Sequence, residues 1–252
     1  MSNRFFKRLC KKCLNYDAIS FDVFDTVLFR MLNEEESVYS VLQENVQKQF
    51  PKITDFAEKR VQTQRFARSK DFHKLHDIFM CMEELFGFEK ELCCQLEKLE
   101  LETENSLCIA NKTMLDLMQF CATHGKKIVF ISDMHLCKEQ LVELLRVKGI
   151  LYAQGDNVFV SCEYKKTKST GELFKVAQKK FSSSTKFLHI GDAIKGDWLR
   201  PKVLHGFSSV LVPRYKGQSF EKFLTAAVSV NADFIYKWGY SVVAPVMWQF
   251  CE

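Results

Sequence analysis

Residues 20–30 read Ser20-Phe21-Asp22-Val23-Phe24-Asp25-Thr26-Val27-Leu28-Phe29-Arg30. The short apolar-alternating run Ala18-Ile19-Ser20-Phe21 has the character of a buried strand, and two carboxylates three residues apart, Asp22 and Asp25, follow it at once. Three further apolar runs end the same way: residues 127–133 (KIVFISD), 157–161 (NVFVS) and 186–192 (KFLHIGD). Each reads as a short buried strand that delivers a small polar or acidic residue at its C-terminal end. Helical patterns lie between them, over residues 138–148 (KEQLVELLRVK) and 171–179 (GELFKVAQK). This alternation predicts an α/β fold, a Rossmann-like doubly wound parallel sheet covered on both faces, with ligands bound beyond the carboxyl ends of the strands.

Between Arg30 and Cys108 the alternation stops. Amphipathic helical periodicity covers residues 35–49, 55–67, 75–86 and 88–101, and no strand pattern appears. A crossover in a doubly wound sheet takes far fewer residues, so this interval reads as a helical subdomain inserted after the first strand, over the active edge of the sheet. The expected division is a core of residues 1–30 and 109–230 with a cap of residues 31–108. A helix is expected over residues 219–228. Residues 231–252 are apolar and aromatic without a helix stop signal, which suggests a segment packing on a neighbouring domain beyond Glu252.

Composition narrows the function classes. Hydrophobic residues make up 47% and charged residues 27% of 252, with 10 Gly and 4 Pro, which describes a globular chain. The net charge of +5 is spread along the sequence, so no nucleic-acid partner is required and a small anionic substrate suits it equally. The basic stretch MSNRFFKRLCKKCLN leads into no apolar core of a secretory signal, and the sequence reads as cytoplasmic. Residues 240–251 are broken by Pro245 and too short to span a bilayer, so no membrane partner is expected. The ten cysteines then read as reduced thiols acting as small hydrophobes; Cys10 and Cys13 form half of a zinc pattern whose second half is missing.

The order and spacing of Phe21-Asp22-Val23-Phe24-Asp25-Thr26, Ile131-Ser132-Asp133, Lys168 within YKKTKSTG, and Gly191-Asp192 with Asp197 resemble the four motifs of the haloacid dehalogenase superfamily, whose members are mostly magnesium-dependent phosphatases. The resemblance runs from about Asp17 to Val212 and includes a helical cap after the first motif. It implies Asp22 as nucleophile, Ser132 and Lys168 as phosphate ligands and catalytic groups, and Mg²⁺ held by Asp22, Asp192 and the Phe24 carbonyl, with Asp197 on a metal-bound water. The chemistry is coherent. A carboxylate can attack phosphorus to give an aspartyl-phosphate, a hard divalent ion takes oxygen ligands, and fixed donors stabilise the transferring group. The fuller strings FDVFDTVLFR, ISDMHL and LHIGDAIKGD look like a bacterial branch of predicted hydrolases that accompany glycosyltransferases and surface-polysaccharide genes. That implies a phosphorylated sugar or polyol substrate.

One position departs from the pattern. Aligning on Thr26 puts Phe24 where phosphatases of the superfamily carry a general acid/base Asp, and Asp25 where they usually carry Gly. Strand alternation points Asp25 away from the place of the missing acid, and a sharp turn there would let it reach the leaving group as a substrate-binding residue. A positioned acid contributes on the order of 10²- to 10⁴-fold, so either the leaving group needs none, or the cap supplies one (His73, His76 or a Glu), or the site binds phosphate without fast turnover. The last case is a different function: a phosphate-ligand-binding or scaffolding module attached to a glycosyltransferase system. Haloacid dehalogenases also carry an aromatic at this position, but they lack the acidic Gly-Asp-x4-Asp pattern.

Several residues keep two readings. Ser132 either binds phosphate or caps the next helix, and Lys165 or Lys166 compete with Lys168 for the phosphate. Asp133 offers its backbone amide rather than its side chain to the substrate, and Arg30 stands near the cap hinge in reach of the substrate anion. Met134 and His135 either line the cleft or pack outside it, and His189, inside an apolar strand, reads as a satisfied core histidine.

Overall fold

Residues 18–21 are buried without exception, so the strand they form belongs at the centre of a sheet with both faces covered. The computed structural model describes residues 3–30, 37–71 and 73–212. Helix α1 (Asn3–Cys13) leads into β1 (Ala18–Phe21) and the short β2 (Leu28–Arg30). Four helices follow, α2 (Ser37–Gln49), α3 (Phe56–Ser69), α4 (Leu75–Phe86) and α5 (Lys90–Leu107), and β3 (Cys108–Ala110) closes that interval. The chain continues as α6 (Lys112–Thr123), β4 (Lys127–Ser132), α7 (Lys138–Val147), β5 (Val158–Val160), α8 (Ser161–Tyr164), α9 (Glu172–Gln178) and β6 (Phe187–Gly191). A π-helical turn (Ile194–Leu199), α10 (Arg200–Lys202) and β7 (Phe207–Leu211) complete it.

The five-stranded sheet has the order β5-β4-β1-β6-β7 and every pairing is parallel. Phe21 aligns with Phe130 on one side and Ile190 on the other, so the residues just beyond these strands, where the acidic motifs begin, share one edge. Strand alternation separates the two cores. Ile19, Phe21, Ile128 and Phe130 face α1, α6 and α7, while Ala18, Val129 and Ile131 face Leu173, Phe174 and Ala177 of α9.

Strands β2 and β3 pair antiparallel, Leu28 with Ala110 and Arg30 with Cys108, and form a two-stranded stalk at the root of the four-helix insert. The periodicity places these helices closely: residues 75–86 match α4, and α2 and α3 lie within two residues of expectation. Helix α5 runs to Leu107, beyond the 101 expected, because Thr103, Glu104 and Leu107 extend its buried face. Helices α1 and α6, strand β7 and the stalk carry too little periodic signal for the sequence reading to find. The helix expected over 219–228 and the segment 231–252 lie outside the described residues.

The insert buries a charge. Arg60 is fully enclosed; its guanidinium donates to both oxygens of Glu100 at 2.7 and 2.8 Å and to Gln64 at 3.0 Å, between the rings of Tyr39 and Phe79. Burial alone would raise the Glu100 carboxyl; Arg60, with His135, outweighs it and holds it down at about 2. A carboxyl lowered in the folded state stabilises the fold above its unfolded value near 4.5, and that stabilisation drains away as pH falls toward 2. Glu100→Ala leaves Arg60 buried without its counter-charge, so urea unfolding at neutral pH is expected to show a loss of about 3–5 kcal/mol. The deficit between wild type and variant should narrow on acidification below pH 4.5.

Candidate active site

Asp22 emerges from the central strand with its amide still paired to the Ile190 carbonyl at 2.9 Å. The chain then turns tightly, with both Val27 N–H and Leu28 N–H donating to the Val23 carbonyl at 2.8 Å. Inside this turn Asp25 has φ +60°, in the left-handed region that favours Gly. That accounts for the Gly that the resembled motif usually carries at this place, and Asp is among the few side chains that tolerate it. The Thr26 hydroxyl donates to Asp22 Oδ2 at 3.1 Å, and Asn111 pins the turn by donating its side-chain amide to the Thr26 carbonyl at 2.8 Å.

The other oxygen of Asp22 meets Lys168. The Lys168 ammonium, itself buried, donates to Asp22 Oδ1 and to Asp197 Oδ1, the latter at 2.7 Å. Lys165 is exposed and its ammonium is engaged by Asp71. Asp133 accepts the Lys168 amide on both carboxylate oxygens, at 2.9 and 3.0 Å. The Asp133 side chain, which the sequence reading set aside, is thus the clamp on the Lys168 loop. Ser132 ends β4 at 2% exposure, one residue past the register position of Asp22. It does not cap the next helix, whose N-cap is Cys137.

Asp197 sits in the π-helical turn, a wide geometry that recurs at functional sites. Its Oδ2 accepts from Ala193 N–H at 3.0 Å and its Oδ1 contacts His189 Nε2 at 3.2 Å. Gly191 makes this approach possible: a Cβ there would stand 2.5 Å from the Cβ of Asp197. Oxygens of Asp22, Asp192 and Asp197 lie within 4.8 Å of one another. The Lys168 ammonium stands among these carboxylates, bound to Asp22 and Asp197. Burial drives the Asp22 carboxyl up, to about 8, against the pull of Lys168, while Asp197 and Asp192 add to the rise. For Asp197 burial acts in the same direction, but Lys168 and His189 outweigh it and hold the group well below the usual carboxylate range. Burial would lower Lys168; the two carboxylates keep it charged. An all-oxygen donor set of three clustered carboxylates fits a hard divalent cation such as Mg²⁺.

Other expected residues belong to the seam between insert and core. Arg30 Nε donates to Glu104 of α5 at 2.6 Å, and its guanidinium covers the Phe24 ring at 4.2 Å, so its charge is engaged at the stalk. His135 contacts Glu100 at 3.5 Å and accepts Leu75 N–H on its carbonyl at 2.8 Å, while Met134 N–H donates to Ser161. His73 pairs with Asp71 and His76 with Glu97. Cys10 and Cys13 are buried and join no group of three metal-ligating side chains among the described residues. Thr26, Asn111 and Gly191 were missed as site residues. A hydroxyl four residues after the nucleophile candidate and a Gly directly before an acidic motif were the available signals.

No family model matches the sequence, and no curated relative matches it either. Its fold is nonetheless well represented among solved structures. A 2-haloacid dehalogenase from Pseudomonas syringae superposes with TM-score 0.55 at 13% identity, over 78% of this chain and 86% of that one. A haloacid dehalogenase-like family hydrolase from Xanthomonas campestris gives 0.51 at 13% identity, over 79% and 82%. A protein from Thermotoga maritima provisionally named a beta-phosphoglucomutase gives 0.51 at 12% identity, over 82% and 90%. The chain has the haloacid dehalogenase-like fold.

Two substitutions test the geometry. Gly191→Ala forces a methyl group into Asp197, so it is expected to destabilise the fold by about 1–3 kcal/mol in thermal melts and to abolish any divalent-cation shift of the melting temperature. Asp25→Gly should melt within about 1 kcal/mol of wild type or above it, whereas Asp25→Val, β-branched at positive φ, should lose more than about 1 kcal/mol.

Proposed function

We propose that this chain is a magnesium-dependent hydrolase of small phosphorylated metabolites that works through an ester on Asp22. The observation that carries the reading is the Asp22 carboxylate, held by Thr26 on one oxygen and Lys168 on the other, beside Asp192 and Asp197. An Asp22 oxygen attacks phosphorus while the bond to the leaving oxygen breaks, and the leaving alkoxide takes a proton. Water then attacks phosphorus, the bond to Asp22 breaks, and inorganic phosphate departs with the carboxylate restored. Lys168 neutralises the carboxylate as the anionic substrate approaches and binds a phosphoryl oxygen, and the Ser132 hydroxyl supplies a second donor. Asp22, Asp192 and the Phe24 carbonyl would hold Mg²⁺, with Asp197 behind a bound water. The metal, when bound, supplies charge neutralisation at the transferring phosphoryl group.

The three structures quoted above include proteins named for different chemistries, a 2-haloacid dehalogenase and a beta-phosphoglucomutase, and likeness of fold does not choose among them. The acidic pair Asp192 and Asp197 favours phosphoryl transfer over halide displacement. The four-helix insert serves as the cap that selects the leaving group, and the sugar or polyol phosphates implied by the sequence resemblance are the first substrates to test. Phe24 in the acid/base position motivates the second reading, a phosphate-binding module with little turnover.

With no carboxyl at position 24, the rate should fall steeply as the leaving-group pKa rises. Aryl phosphates are expected to turn over at least about 10²-fold faster than alkyl phosphates, and Phe24→Asp to shrink that gap. Phosphate release with Mg²⁺ should vanish in Asp22→Asn. Release that persists in that variant removes the Asp22 ester, and binding of phosphate without turnover on any substrate selects the second reading.

A further inference from the structure

Ser20 and His189 are polar residues in the middle of the two central strands, where apolar side chains would pack without loss. They are register partners across β1 and β6, both fully buried, with Ser20 Oγ and His189 Nδ1 2.9 Å apart. The far nitrogen, Nε2, lies 3.2 Å from Asp197 Oδ1. The edge-to-face contact of Phe174, at 4.8 Å, fixes the ring plane. A carboxylate accepts and never donates, so Nε2 carries the proton and points it at Asp197. In that tautomer Nδ1 is the acceptor, and the Ser20 hydroxyl is the donor to it.

We infer that Ser20 and His189 form a buried hydrogen-bonded relay that orients Asp197 for divalent-cation binding, an inference that rests on the metal reading above. The hydroxyl sets the ring's tautomer, the ring N–H holds Asp197 Oδ1, and the Ala193 amide holds Oδ2. Lys168 shares Oδ1 at 2.7 Å, so both Asp197 oxygens are held before any ligand arrives. His189 and Ser20 are positioning residues; neither is placed to touch substrate. Groups that orient metal ligands in this way typically change metal affinity by about 10- to 100-fold when removed.

The test is Mg²⁺ affinity, measured by calorimetry on the full chain without substrate, for wild type, His189→Leu, His189→Gln and Ser20→Ala, each checked for a native melt. His189→Leu should weaken Mg²⁺ binding by at least about tenfold. His189→Gln, which keeps an N–H where Nε2 was, should recover most of it, and Ser20→Ala should weaken binding in the same direction. Where His189→Leu does not fold, Ser20→Ala and His189→Gln decide the matter, since both keep a polar core. Unchanged affinity in His189→Leu or in Ser20→Ala overturns the relay, as does a loss in His189→Gln equal to that in His189→Leu, which marks a packing role alone. A wild-type chain that binds no Mg²⁺ overturns the metal reading itself and the relay with it, whereas wild-type binding that the variants share overturns only the relay.

Discussion

The ammonium of Lys168, buried between Asp22 and Asp197, is the constraint around which the candidate site is organised. Three ions removed from water stabilise one another only if their geometry is held, because a misplaced partner leaves a buried charge unmatched. Each of the three is accordingly fixed by further groups. Thr26 and Asn111 hold the Asp22 turn, Asp133 holds the Lys168 amide, and Ala193 and His189 hold Asp197. The sheet order serves the same end: β1 at the centre carries Asp22 into the space between the loops that follow β4, β5 and β6.

The four-helix insert meets the core through polar pairs along one face of α5. Glu97, Glu100 and Glu104 recur every three or four residues, and each finds a partner outside the helix: Gln140 and His76, Arg60 and His135, Arg30. The Glu104 pair reaches furthest toward the candidate site, since Arg30 also stacks on Phe24 in the turn that presents Asp22. The stalk, the insert and the turn that presents Asp22 are thereby linked by one short chain of contacts. Phe24 gains a structural explanation from this that its position in the motif did not offer: an aromatic ring gives the Arg30 guanidinium a face to cover.

Legibility in the sequence followed the range of the interaction. Strands and helices with clear periodicity were found nearly to the residue, as for α4, because burial of one face repeats with the local geometry. The polar residues at strand ends marked the site because a parallel sheet delivers them to a single edge. Helix α1 escaped notice because Leu9, Cys10 and Cys13 are buried amid a run of lysines and arginines. The contact made by the Asp133 side chain was not legible because its partner, the Lys168 amide, lies 35 residues away and belongs to a loop with no periodic signal.

By itself the sequence determined the alternation of strand and helix, the place of the helical insert, and the set of carboxylates able to gather at one edge, since these depend on residue type and spacing along the chain. Tertiary structure alone decided which lysine meets Asp22 across 146 residues, that Gly191 yields its space to Asp197, and that a histidine inside an apolar strand faces a serine in register. Those outcomes depend on strand register, close approach and the pairing of buried charge, which act between segments distant in sequence and leave no periodic trace in either one.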